Sequence, residues 1–135
     1  MTQRDGIGRL KAVLVVYSIT HLFYGISFLL APGYLISLSG SPDPVGLSWI
    51  RWTGGPLFAL AIGGFQVYRK PQGQGLFMTI ATASALLVGL GLLYSWIFDH
   101  STSAAWFHLT PCVINLGLFA LLIWARQGAR AVLDR

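Results

Sequence analysis

A histidine stands in the middle of a long apolar stretch: His21, with Tyr17 four residues before it and Tyr24 three after. On a helix these spacings put the three rings on one face, with Thr20 and Ser27 close by. Imidazole both donates and accepts, and a phenol donates, so such a stripe can hold a polar group or pass a proton. His108, Cys112 and Asn115 are spaced by four and three and share a second face. Three chemistries follow from bringing the two faces together. One is a structural clasp in which the His21 imidazole hydrogen-bonds the Asn115 amide. Another is a ligand or proton site lined by Tyr17, His21, Tyr24, Cys112 and Asn115. The third is metal or haem ligation.

Spacing weighs against the third. His21 falls near mid-span, His108 one to two turns inside the outer boundary and His100 in a loop, so no two imidazoles are level. The chain has no C-x-x-C-H, H-x-x-x-H or H-E-x-x-H pattern, and no resident metal or cofactor is expected. A Cys112–His108 nucleophile pair shares a face, but no acid is near enough in sequence to orient the histidine. A further cluster is expected at the outer surface: Arg51, Asp43, Asp99, His100 and His108 among the tryptophans. It would suit a lipid head group or small anion, with Arg51 as anchor and Asp99 or a histidine as proton carrier. The plainer alternative is a belt in which tryptophans position helices and Arg51 meets a phosphate.

The elements that must hold these residues are membrane spans. Of 135 residues, 55% are hydrophobic and 10% charged, with mean hydropathy +0.67, which excludes an ordinary soluble domain. The net charge of +5 forms no basic stripe, so nucleic acid is not an expected partner. Apolar runs at about 10–31, 49–68, 76–98 and 104–125 each reach the roughly 20 residues a span needs. The first is too long for the apolar region of a cleaved signal peptide and reads as a retained helix. Breakers separate the runs: Pro32-Gly33, the stretch 40–44, Pro71 through Gly75, and Asp99 through Ser103. Within the longest connection, residues 34–38 suit either a short turn in the headgroup layer or an ordered loop.

The expected fold is therefore all-α: a single domain over 1–135, an antiparallel bundle of four transmembrane helices. Arg4, Arg9, Lys11, Arg69, Lys70, Arg126, Arg130 and Arg135 fall on one side and Arg51 alone on the other, which places both termini in the cytoplasm of a multi-pass inner-membrane protein. Two small-residue faces, Gly55–Ala59–Gly63 and Ala81–Ala85–Gly89, are expected to pack together or against a second copy. Pro56 and Pro111 are expected to bend their helices outward.

Over nearly its whole length the chain resembles the DoxX-like group of small bacterial membrane proteins. The first helix closes in Tyr24-Gly25-Ile26-Ser27-Phe28-Leu29-Leu30-Ala31-Pro32. Arg51-Trp52-Thr53-Gly54-Gly55 opens the second, and Gly63-Gly64 precedes a basic loop. The resemblance implies a four-helix bundle, some members being similar to subunits that accompany membrane oxidoreductases and pass electrons to quinone. The second helix here has no acidic residue, so a family role resting on one does not carry over. Taken with the residues, the expected function is binding of an apolar or amphipathic small molecule, or service as accessory subunit of a membrane complex. The alternative is a membrane enzyme doing acid-base chemistry on a lipid or isoprenoid-like substrate. Expected partners are the bilayer, a hydrophobic small molecule, and a second copy or a complex partner.

Overall fold

Prolines and left-handed glycines set the element boundaries in the computed structural model, which describes residues 3–40, 46–99 and 103–134, with only the backbone at 3 and 4. Helix α1 (Gln3–Leu30) stops at Ala31, the residue before Pro32, where the proline ring disfavours helical backbone. Pro32 then opens α2 (Pro32–Ser39) at its first position, and Gly40 closes it at φ 68°. Of the two readings of 34–38, the helical turn is the one found. Helix α3 (Leu47–Arg69) ends at Lys70, again just before a proline. Gly73, at φ 71°, turns the chain into α4 (Gly75–Phe98), and α5 (Ala105–Leu133) completes the order.

The apolar runs located the long helices, but α1 and α5 outlast their runs at one end. In α5, Ala125, Ala129, Val132 and Leu133 are all buried. Their spacing is that of a helix face, which continues after the composition has turned basic. Pro56 and Pro111 lie inside helices that run unbroken through them.

Three helices, over Asp5–Leu30, Gly75–Phe98 and Ala105–Leu133, are long and apolar enough to cross a membrane. Helix α3 has the length, 23 residues, but Arg51, Pro56, Gln66 and two glycine doublets dilute it. The surface is as apolar as the core. Leu30, Phe23, Leu76, Leu87 and Val113 are among the most exposed side chains, whereas Ser18, His21 and Asn115 are buried with Ala61, Ala81, Ala85 and Ala125. Water does not tolerate such a surface and hydrocarbon does, so the chain has the character of a membrane protein.

Helix α1 lies between α3 and α5, and α4 packs along α5. All of these pairs are antiparallel. A Cβ added at Gly25 would stand 2.8 Å from the Phe58 nitrogen, and one at Gly54 would stand 3.0 Å from the Leu29 nitrogen. Further along, Gly64 faces Ser18. Gly6 meets the Gly128 backbone, and Arg9 covers the Trp124 ring at 4.8 Å. The start of α1, the α3–α4 turn and the end of α5 thus share one end, where the Gly73 N–H also donates to the Val132 carbonyl at 3.4 Å. At the opposite end the Ala104 N–H donates to the Ser39 carbonyl at 2.8 Å.

The expected Gly55–Ala59–Gly63 face is not a close-packed one. Nothing lies within 4 Å of a Cβ at Gly55, Ala59 is exposed, and Gly63 meets the Phe77 ring of α4. The face in use is Gly54–Ala61–Gly64, against α1. Each doublet, Gly54-Gly55 and Gly63-Gly64, offers a glycine to two adjacent faces, so spacing alone does not choose between them. The Ala81–Ala85–Gly89 face is buried as expected, but its glycine meets Leu116 of α5 and not the second long helix.

Candidate functional site

Two of the buried polar residues, His21 and Asn115, lie on α1 and α5, which pack against each other. Carried along the antiparallel pair, the Gly6–Gly128 and Arg9–Trp124 contacts set His21 level with Cys112 and Val113, within one turn of Asn115. His21 is 4% exposed and Asn115 8%. Their expected hydrogen bond to each other is not what the side chains make. The Nδ1–H of His21 donates to the Tyr17 carbonyl at 2.9 Å, and Asn115 Nδ2 donates to the Pro111 carbonyl at 2.8 Å. Each turns to the preceding turn of its own helix, where a carbonyl is always within reach. With Nδ1 carrying the hydrogen, Nε2 of the neutral ring is an acceptor.

Tyr17 stacks on that imidazole, ring centroids 4.0 Å apart and planes inclined by 31°. Tyr17 is wholly buried, in a cluster with Leu14, Val67, Met78, Ala81, Ala85 and Leu118. Its hydroxyl, and that of the adjacent Ser18, have no hydrogen-bond partner among the described residues. Tyr24 is half-buried and edge-on to Phe28. Cys112 is buried and donates from Sγ to the Gly89 carbonyl at 3.3 Å, which ties α5 to α4. A thiol so engaged serves packing and not nucleophilic attack.

Ser18 escaped the sequence reading. The signal was its seven-residue spacing from Gly25, which marks the close-packed face of α1 toward Gly64 and Gly54.

Of the outer cluster, Arg51, Asp99 and His108 are among the described residues. Arg51 is exposed, Asp99 accepts from the Ser95 hydroxyl at 2.6 Å, and no ion pair joins them. His108 is half-buried and edge-on to Phe107. Asp43 and His100 lie outside the described residues. What stands at this end is an aromatic lip: Trp49 and Trp52, 5.7 Å apart and nearly perpendicular, border a cleft of about 320 Å³ with Ser48.

A second cleft, about 500 Å³, lies at the other end between Gly75, Thr79, Arg126 and Asp134. Helix α4 has no acid in its own first turn, and the Asp134 carboxylate stands beside Gly75. That charge complements the helix dipole, so an anion is already in place there. Neither cleft is lined by Tyr17 or His21. No group of three or more His, Cys, Asp or Glu that could hold a metal ion occurs among the described residues.

The chain matches no protein-family model, no curated protein and no solved structure.

Proposed function

We propose that the protein is a four-helix transmembrane bundle of the bacterial inner membrane, with both termini cytoplasmic, that receives the polar end of an apolar or amphipathic small molecule beside Tyr17 and His21. One observation carries the reading: an imidazole held by its own helix is stacked in the interior on a tyrosine whose buried hydroxyl has no partner among the described residues. Buried polar atoms in a membrane protein are costly and mark function more often than support. The Asn115 amide, on the same level, completes a short polar strip between α1 and α5. The bundle could present its guest to a partner in the manner of an accessory subunit, a role in keeping with the DoxX-like resemblance.

The test is direct. The protein is purified in mild detergent, and its extract is read by absorbance and mass spectrometry. One apolar species is expected at near-stoichiometric amount in wild type. His21→Phe keeps the ring stack but removes the hydrogen-bonding atom, and should cut that amount roughly tenfold, the worth of about 1.4 kcal/mol. Arg51→Ala, at the exposed outer end, should change it less than about twofold, since surface charges there contribute little. Equal retention by wild type and His21→Phe would sink the interior site.

A further inference from the structure

We infer that the Tyr17 hydroxyl donates to a neutral oxygen acceptor seated inside the helix cluster, supplied either by the guest molecule or by an internal water. The inference deepens the interior-site reading and, in its guest form, rests on it.

Tyr17 is 0% exposed and its hydroxyl is unpartnered among the described residues. The ring cannot easily turn to find a partner. It is stacked on His21, and the His21 ring is pinned in turn to the Tyr17 carbonyl. On its other side, Tyr17 Cδ1 lies 3.3 Å from where a Gly64 Cβ would stand. Ser18 is also fully buried and unpartnered. Its short side chain, however, is within reach of the carbonyl one turn back, as serine in a helix usually is. A phenol oxygen is far from any carbonyl of its own turn, so Tyr17 carries the inference. Leaving such a donor dry in hydrocarbon costs stability, and buried hydroxyls in folded proteins are almost always bonded.

The surroundings specify the acceptor. The buried polar residues are Ser18, His21, Ser39 and Asn115, with no Lys, Arg, Asp or Glu among them. A carboxylate or phosphate would be a buried charge without a counter-ion, so the acceptor is neutral. A carbonyl, ether or hydroxyl oxygen satisfies Tyr17. A hydroxyl or water can also donate to His21 Nε2, giving the two or more partners an internal water needs.

Infrared difference spectra of wild type minus Tyr17→Phe, in nanodiscs of synthetic phospholipid, isolate the Tyr17 phenol C–O band and test this. Tyr24→Phe serves as control. A hydrogen-bonded Tyr17 band is expected. Its shift in ¹⁸O-labelled water identifies an internal water, and its change after exhaustive detergent washing identifies a guest. In both cases Tyr17→Phe lowers the melting temperature. A non-bonded phenol band, with Tyr17→Phe melting higher than wild type, overturns the inference. So does a bonded band that responds to neither treatment, since the acceptor then belongs to the chain. A water response with no copurifying molecule leaves the inference standing while the small-molecule reading fails. If Tyr17→Phe does not fold, isotope-labelled tyrosine in the wild type reads the same band.

Discussion

Asn115 shows how a residue can be recognised as interior and its contact missed. The sequence offers it as a partner for His21, and both are buried, yet Asn115 Nδ2 closes on Pro111 one turn below. A polar side chain on a transmembrane helix always has that carbonyl nearby, whereas the partner across the interface depends on helix rotation, which spacing alone does not give. The consequence is measurable. Were the two side chains a clasp, Asn115→Leu would strip His21 of its partner and loosen α1 from α5. Because each bonds its own helix, Asn115→Leu should shift stability by less than about 1 kcal/mol, measured as reversible unfolding in mixed micelles. A larger loss would restore the clasp. Chemical character was thus legible at residue level, since His21, Tyr17 and Asn115 were all recognisable as interior. Hydrogen-bond direction was not.

Among the helices, glycine decides how near two backbones come. In an exposed helix position Gly→Ala stabilises by roughly 1 kcal/mol, because the methyl restricts the unfolded chain. That gain should appear at Gly117, an exposed position of α5 where a Cβ meets nothing within 4 Å. The sign should reverse at Gly25 and Gly6. There the new methyl meets the Phe58 backbone nitrogen and the Gly128 carbonyl, which cannot move aside as a side-chain tip can. Overpacking of this kind costs about 1–3 kcal/mol. Thermal melts of the three alanine variants should therefore fall on opposite sides of wild type, Gly117→Ala above and the other two below. Should all three move together, the packing faces are wrongly assigned. Spacing could supply only part of this: Gly54-Gly55 and Gly63-Gly64 announce close approach, but the small partners on α1, Gly25 and Ser18, select which member of each doublet is used.

For the whole molecule the question is how many times the chain crosses, and parity connects it to the packing. If only the three most apolar helices crossed, the two termini would face opposite sides of the membrane. The start of α1 instead lies against the end of α5 at Gly6 and Gly128, and the α3–α4 turn joins them through Gly73 and Val132. Helix α3 runs from the opposite end, at Gly54 beside Leu29, down to that turn, antiparallel to α1 over about 24 Å. The proposed fourth span accounts for this packing, since a helix pressed along a spanning helix would lie in the bilayer with it. Part of its weak apolarity comes from Gly54 and Gly64, which are buried against α1. Composition undervalues such a span because it scores every residue as though lipid touched it. Arg9 over Trp124 and Lys11 over Tyr68, at 5.2 Å, gather charge and aromatics at the shared end, the arrangement that the proposed cytoplasmic side calls for. With Cys112 changed to Ser, a cysteine at Ser48 should react with a membrane-impermeant maleimide on intact cells. A cysteine at Gln72 should react only after the membrane is opened. Equal labelling of the two from outside would mean that α3 does not cross, and the shared-end packing would then have to be given up with it.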